Sequence, residues 1–497
     1  MNISGNGIFW VYKIVLSAVV NGDFLKKKMT SDLKSHKYNK GLIQPPMNTL
    51  PNQQPVSWTN DRLPEYLWLG LILMNYDRTE GIEKAGKILQ KIAHINKTII
   101  KPKLSIVLSL PDIEQEEIYK IICNNANPKY LAPLTAIYRN FEYPVFNKYF
   151  NFPDILISER IKSISNAVKR YYAHQSHEAT DLRFVVLSME IFQDKLHVPT
   201  GSPLFEAFLN YPYTNHEDEI MRAYRPSIRA SEMMDLWNQP KQNFINNFWK
   251  EIGLKTECQP LIISFNKEED LDYKKYILEL QDKMNHLLSE KKEQSLHDDK
   301  FHVIMGTATY ALKIFNDVIT KELGDSILGR HAFRTILEAY INIRYLLKLE
   351  PEHQTVWMEY KLYGIGKYKF PLLKERENSD KEEKSHFVEP IIDVLINEIL
   401  WEEFVDIDLR YFDNKKVKEK FEIVDEKYLY EVLYEYDNNF IHAFWGAVRE
   451  SSMLHCENAT HKYHSLPDIN FEQKMPSVNH DIYKIMMKIQ KLIDETI

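Results

Sequence analysis

The feature that most constrains the fold is a set of apolar stripes at helical spacing in the C-terminal half of the chain. Apolar residues recur there every three or four positions, which is the period that places them on one face of an α-helix. The four stripes run over Val303–Val318, Phe333–Leu347, Leu429–Phe444 and Ile482–Ile493. Four amphipathic helices that each bury one face predict a helix bundle, with the charge-dense stretch 370–425 as a solvated insertion.

The N-terminal half shows the same periodicity, over Ile82–Ile92 and Ile157–Tyr171. Glycine is scarce, with 15 residues in 497, against about 7% in average proteins, which disfavours a fold rich in tight β-turns. Leu104–Leu108 and Leu261–Phe265 are candidates for short strands, but neither has a hairpin partner with turn chemistry. The sequence therefore predicts an all-α protein with two helical domains.

Charge-dense segments between Asn266 and Lys300 indicate a domain boundary. We expect an N-terminal extension over residues 1–40 that is disordered, a helical domain of no recognised family over 41–285, and a helix bundle over 286–497. The apolar run 7–20 is shorter than the ~20 residues that a spanning helix needs, so we expect no stable membrane insertion. Residues 1–28 are expected to be an extension with Met29 as the working start; the alternative is a short membrane anchor.

The cysteine pattern and the absence of familiar enzyme motifs disfavour several kinds of site and enzyme. Cys123, Cys258 and Cys456 are odd in number and far apart, which predicts neither a disulfide framework nor a CxxC zinc site and favours a cytoplasmic location. The sequence contains no P-loop, dinucleotide-binding, nucleophile-elbow or HExxH motif. No cofactor is predicted. The net charge of −7 gives no global attraction to nucleic acid but leaves a local basic patch open.

A first candidate binding site lies on the second predicted bundle helix. Arg330, Arg334, Glu338 and Asn342 follow one another at steps of four, so they line one side of that helix. They predict either a polar seam that faces a cleft or an exposed charged face with an Arg334–Glu338 ion pair.

A second candidate site lies on the third predicted helix. Asn438, His442, Trp445 and Arg449 are spaced by four, three and four residues, which puts them on one helix face. An imidazole can transfer protons near neutral pH, and a guanidinium can bind phosphate. The alternative is a hydrogen-bonded histidine and a surface arginine beside a core tryptophan.

Arg449 and His455 form a third candidate pair. In an ideal helix their six-residue step leaves them on different faces. They can converge if the helix ends near Ser451 or if two subunits combine.

Two clusters contain metal-ligand residue types, and we assign a metal to neither. One consists of His455, Cys456, His461 and His464; the other consists of His174, His177, Glu178 and Asp181. The spacing of the first suits zinc, but the side chains would have to converge. The second is the better candidate, because on a helix its residues would share one face. The alternative for it is a polar network between helices.

The blocks LGRHAFRTILEAYINIRYLL (328–347) and YEYDNNFIHAFWGAVRESSMLHCENATHKYHSLP (434–467) resemble a prokaryotic helical family of unknown function that is distantly similar to HEPN domains. The resemblance implies a helix bundle, often dimeric. Many HEPN proteins are metal-independent RNases in which an arginine and a following histidine act on the scissile phosphate and the 2′-hydroxyl. Arg449 and His455 fit that spacing. Glu450 stands where those RNases commonly have a small polar residue, and its charge would repel phosphate.

Three functional hypotheses follow. The first is an RNA-directed effector of antiphage defence, a metal-independent endoribonuclease in which Arg449 binds phosphate and His442 or His455 transfers the proton. The second is a non-catalytic interaction or scaffold protein that forms a homodimer through its C-terminal bundle. The third is a metal-dependent enzyme that uses His174 and His177.

Overall fold

The computed structural model describes residues 33–45, 56–233, 241–265, 271–377, 386–462 and 464–497. Most of these residues are helical, so the predicted all-α class is confirmed. The apolar run 7–20 and Met29 lie outside the described residues. In the part of the chain that the structure describes, no helix has both the length and the apolar character needed to cross a bilayer.

The chain divides into two compact units. Unit 1 comprises residues up to Pro260 together with Cys456–His464, and unit 2 comprises Leu261–His455 and Ser465–Ile497. This division differs from the boundary expected near residue 285. The reason is that the helix Tyr273–Glu290 buries Ile277, Leu280 and Met284 in the core of unit 2.

Unit 1 is helical throughout most of its described length. Its α-helices are α1 (Leu63–Leu73), α2 (Arg78–Ile95), α3 (Leu104–Val107), α4 (Asp112–Asn125), α5 (Pro144–Phe150), α6 (Ile157–Tyr171), α7 (His177–Phe192), α8 (Pro203–Asn210), α9 (Met221–Met233) and α10 (Gln242–Gly253). A π-helical turn, Trp58–Arg62, precedes α1, and 3-10 segments cover Pro128–Ala136 and Tyr211–Tyr213. Leu104–Leu108, a strand candidate in the sequence, contains the short helix α3 instead.

Helix α1 is the centre of unit 1. Every residue of α1 is buried, as expected of a helix surrounded by others, and its one charged side chain, Glu65, accepts hydrogen bonds from the backbone N–H and the hydroxyl of Ser105. The helix packs against α2, α6 and α7. The indole N–H of Trp68 donates to the carbonyl of Pro102 at 2.9 Å, which satisfies the polar end of this buried tryptophan.

The described part of the expected N-terminal extension contains secondary structure. Residues 33–35 form a 3-10 turn, and β1 (Lys37–Asn39) pairs antiparallel with β2 (Leu42–Gln44). The two-residue connection has Lys40 at φ 46° and Gly41 at φ 86°. Both central residues therefore have the positive φ of a type I′ hairpin turn, whose twist suits antiparallel strands.

Unit 2 is a helix bundle with additional shorter elements. Its α-helices are α11 (Tyr273–Glu290), α12 (Gln294–His297), α13 (Asp299–Thr320), α14 (Ile327–Leu349), α15 (Val356–Glu377), α16 (Glu389–Ile396), α17 (Val417–Ile423), α18 (Glu435–Ile441), α19 (Trp445–Ser452) and α20 (Asn479–Thr496). A π-helical segment, Leu429–Tyr434, precedes α18, and 3-10 turns cover Glu402–Phe404 and Phe412–Asn414. Strand β3 is Pro260–Leu261, of which Leu261 belongs to unit 2, and β4 (Met453–Cys456), of which Met453 to His455 belong to unit 2, pairs antiparallel with β5 (Ser465–Pro467).

Three of the four predicted stripes form the bundle core. Helices α13, α14 and α20 pack against one another, and Phe315, Ile336 and Ile482 are fully buried between them. Ser326 begins α14, because its hydroxyl accepts a hydrogen bond from the backbone N–H of Gly329.

The fourth stripe, Leu429–Phe444, does not form one helix. Helix α18 ends at Ile441, and Ala443 has φ 49°. The N–H of Phe444 bonds to the carbonyl of Asn439, and that of Ala443 bonds to the carbonyl of Phe440. These two bonds define a Schellman C-terminus with alanine in the left-handed position that glycine usually occupies.

The 370–425 insertion is not wholly solvated. Leu372, Ile396 and Val405 form a small apolar core of their own. Arg376 binds three carboxylates of the same segment at 2.6–2.9 Å.

Candidate functional site

The predicted polar seam on α14 is largely packed inside unit 2. Arg330 is buried, and its Nη2 donates to the carbonyl of Pro476 at 2.6 Å. Its guanidinium lies 5.8 Å from the ring centroid of Tyr436 and 5.9 Å from that of Phe440. A guanidinium enclosed in this way holds helices together and is not open to a ligand.

The predicted Arg334–Glu338 ion pair is present, and a tyrosine that the sequence did not single out joins it. Arg334 Nη2 lies 3.2 Å from Glu338 Oε1, and the Tyr434 hydroxyl donates to the same oxygen at 2.5 Å. Burial, followed by the hydrogen bond to Glu338 and the charge of that carboxylate, raises the pKa of Tyr434. Asn342 is half-buried farther along α14. The seam is thus an inter-helix network with partly exposed members.

Asp437 on α18 is a buried acid that sequence reasoning missed. The residue is 2% exposed, and among the described residues its Oδ1 has no hydrogen-bond partner. Burial raises its pKa to about 7, and the Arg330 charge opposes that shift. A signal was available, because Asp437 falls within the apolar stripe, four residues after Leu433 and three before Phe440.

The break after α18 separates the residues of the second candidate site. Asn438 lies on α18, His442 directly follows the last residue of that helix, and Trp445 begins α19. The prediction that Asn438, His442, Trp445 and Arg449 share one helix face is therefore wrong. Trp445 and Arg449 still share a face of α19, because they are four residues apart.

The break exposes an aromatic surface. The His442 ring stacks on Phe444 with ring centroids 5.4 Å apart. Phe444 is 54% exposed and Trp445 is 67% exposed, so Trp445 is not the core residue of the alternative interpretation. Large exposed aromatic side chains close together are typical of an interaction surface. We call His442, Phe444, Trp445 and Arg449 the α18–α19 surface.

Helix α19 ends at Ser452, close to the point that convergence of Arg449 and His455 requires. Arg449 Nη1 donates to the carbonyl of Met453 at 2.9 Å. His455 lies on β4 opposite Ser465. Glu450 accepts a hydrogen bond from the Tyr436 hydroxyl, so its carboxylate is held against α18.

The family comparison concerns this same unit. Residues 301–461 match the model of a family of unknown function, DUF5677. The predicted resemblance of the C-terminal half to a helical family of unknown function is confirmed over that range. It contains Arg330, His442, Arg449 and His455. No curated protein and no solved structure matches the chain.

The His174–Asp181 cluster of unit 1 does not form the predicted ligand face. His174 lies in the turn between α6 and α7, because α7 begins only at His177. Asp181 binds Arg78 at 3.0 Å and His216 at 3.2 Å.

His177 also has an arginine as neighbour, because its Nε2 contacts the guanidinium of Arg225. Burial, His216 and Arg225 lower the pKa of His177. The structure therefore resembles the alternative prediction, a polar network between helices.

Among the described residues, a different group brings metal-ligand atoms together. Cys258, His461 and His464 each place one ligand atom within 4.8 Å of the others. Sequence reasoning placed His461 and His464 near Cys456 but had no reason to add Cys258, which is 206 residues before His464.

Proposed function

We propose that the α18–α19 surface of unit 2 binds single-stranded RNA and that the chain is an RNA-directed effector. The observation that carries the proposal is the exposed His442–Phe444 stack next to Trp445, with Arg449 one helical turn farther on. Proteins bind unpaired bases by stacking them on aromatic side chains, with arginine at the phosphates. Single-stranded RNA supplies both groups in one ligand.

We further propose a HEPN-like bundle and metal-independent cleavage at this surface. Arg449 would bind the scissile phosphate, and His442 or His455 would transfer the proton. Two observations support this assignment. Helix α19 ends before His455, so helical geometry does not hold Arg449 and His455 apart. Glu450 is engaged by Tyr436, which draws its carboxylate toward α18. The defence setting rests on the resemblance to HEPN proteins.

The test is binding and cleavage of labelled single-stranded RNA by the full chain. We expect Trp445→Ala to weaken binding about 5- to 150-fold, the equivalent of about 1–3 kcal/mol for a lost stacking contact. Arg449→Ala should abolish cleavage and reduce the salt dependence of binding by about 0.7 in log–log slope. His442→Ala or His455→Ala should abolish cleavage with binding retained.

Arg410→Ala is the matched control. Arg410 is an exposed arginine of unit 2 that is not part of the α18–α19 surface; its side chain is 70% exposed and pairs with Asp408. We expect this variant to bind and cleave as the unmodified chain does. Equal cleavage by all variants, or no RNA binding at low salt, would contradict the proposal.

The same exposed aromatic side chains favour a second function, a non-catalytic interaction protein. Phe444 and Trp445 are the residue types that protein interfaces bury at their centres. Under this hypothesis the bundle forms a homodimer, Trp445→Ala dissociates it in sedimentation velocity, and RNA does not bind.

A further inference from the structure

Four sulfur and nitrogen ligand atoms of unit 1 lie close together. Cys258 Sγ is 3.5 Å from Nδ1 of His461 and 3.3 Å from Nε2 of His464. Cys456 Sγ is 3.6 Å from the same Nδ1 of His461. One histidine nitrogen therefore faces two sulfur atoms, and the second histidine faces one of them.

These separations match those around a tetrahedral zinc ion. With Zn–S near 2.3 Å and Zn–N near 2.0 Å, a sulfur and a nitrogen on the same ion lie about 3.5 Å apart. The three measured sulfur–nitrogen distances are 3.3, 3.5 and 3.6 Å. Cys258, His461 and His464 each offer a ligand atom within 4.8 Å of the other two, whereas the Cys456 sulfur, whose contact is to His461, would have to move toward the other ligand atoms to complete the tetrahedron.

The outer contacts of His461 orient it as a metal ligand. Its Nε2 lies 2.9 Å from the Thr256 hydroxyl and 3.3 Å from the Thr256 carbonyl oxygen. The carbonyl oxygen can only accept, so Nε2 carries the proton and Nδ1 presents its lone pair to the two sulfur atoms. Metal-binding histidines are held in this manner by a second hydrogen bond to backbone or side-chain oxygen.

Cys456 also has the surroundings of a thiolate ligand. Its side chain is buried, and its sulfur accepts the backbone N–H of Gln259 at 3.3 Å. A hydrogen bond near Cys456 holds its loop against the segment after α10, since Asn458 Nδ2 donates to the carbonyl of Glu257 at 2.7 Å. Cys258, in contrast, is exposed, which leaves a path by which an ion can enter.

We infer that Cys258, Cys456, His461 and His464 bind one zinc ion. Thiolate with imidazole is the ligand set that zinc prefers, whereas magnesium and calcium require oxygen ligands. Four protein ligands leave no open coordination position, so the site is structural and not catalytic. The ion would join the segment after α10 to the loop 456–464. This inference does not depend on the proposal that the chain binds RNA.

The test is the metal content of the purified full chain, measured by mass spectrometry after dialysis. We expect one zinc per chain and its loss in Cys258→Ser, Cys456→Ser and His464→Ala. Cys123→Ser is the matched control, because it is the same substitution at the remaining cysteine, on α4. It should keep its zinc, as should His455→Ala, which the proposed function expects to lose cleavage.

Cobalt substitution tests the ligands without relying on variants that fold poorly. Co²⁺ in the unmodified chain should show the absorption bands of a tetrahedral site with thiolate charge transfer. An octahedral spectrum, a zinc-free chain with a Cys258–Cys456 disulfide, or full zinc retention in Cys456→Ser would each overturn the four-ligand assignment.

Discussion

Asp437→Asn should remove a pH dependence from the stability of unit 2. Burial raises the pKa of Asp437 from 3.8 to about 7, so the folded state keeps a proton that the unfolded state releases. The free energy of unfolding therefore falls as pH rises from about 4 to about 7. At about 1.4 kcal/mol for each pKa unit, the whole loss is at most about 4 kcal/mol.

The charged groups around Asp437 set the size of this effect. Arg330 and Arg334 of α14 lower its pKa, whereas Asp481 of α20 and Glu450 of α19 raise it. Asparagine keeps the shape of aspartate and carries no charge at any pH. The free energy of unfolding of Asp437→Asn should therefore equal that of the unmodified chain at low pH and exceed it by a growing amount toward pH 8.

Urea unfolding of the full chain from about pH 5 to about pH 8, followed by circular dichroism, measures this difference. Hydrogen exchange of α18 peptides, compared between the two proteins at each pH, assigns it to unit 2. Asp317→Asn is the control, because the Asp317 side chain is 56% exposed, and its effect should not change with pH. An Asp437→Asn difference that is constant with pH, or that destabilises at pH 8, would refute the reasoning.

Two further predictions concern stability. Ala443→Gly should raise the free energy of unfolding by about 1 kcal/mol, because glycine adopts the left-handed conformation without the steric cost to alanine. The control, Ala332→Gly on α14, should lower the free energy of unfolding by a similar amount. A lower free energy of unfolding in both variants would contradict the prediction. Glu232→Gln should destabilise unit 1 by about 3–5 kcal/mol, since the buried Glu232 carboxylate lies 2.5 Å from Arg62 and 2.7 Å from Arg183, and its loss leaves two buried cations unpaired. Chemical denaturation measures the free energy of unfolding of these variants. A change below about 1 kcal/mol for Glu232→Gln would show that the Glu232 ion pairs with Arg62 and Arg183 are not needed for the stability of unit 1.

The bundle helices were predictable because their signal is local. The stripes of α13, α14 and α20 are complete within one helix each, and apolar spacing reports them directly. The end of α18 was not predictable in this way. A Schellman terminus usually has glycine in the left-handed position, but here Ala443 occupies that position. The apolar spacing therefore predicted one continuous helix across the break.

The predictions of the candidate sites were also right where the contact is local in the sequence and wrong where it is not. The Arg334–Glu338 pair lies within one helix and was predicted. The turn before α7 removes His174 from the helix that spacing alone assumed. The contact of Cys258 with His464 joins residues 206 positions apart, and no local pattern in one sequence encodes such a distance.

The most direct test of the central claim is to locate the RNA on the chain. Single-stranded RNA that carries photoreactive uridine can be crosslinked to the full protein, and the modified peptides can be sequenced by mass spectrometry. We predict crosslinks within residues 435–455, at Phe444 or Trp445 above all, and their loss in Trp445→Ala with Arg449→Ala. Crosslinks confined to other segments, or none under low-salt conditions, would contradict the claim that the α18–α19 surface binds RNA.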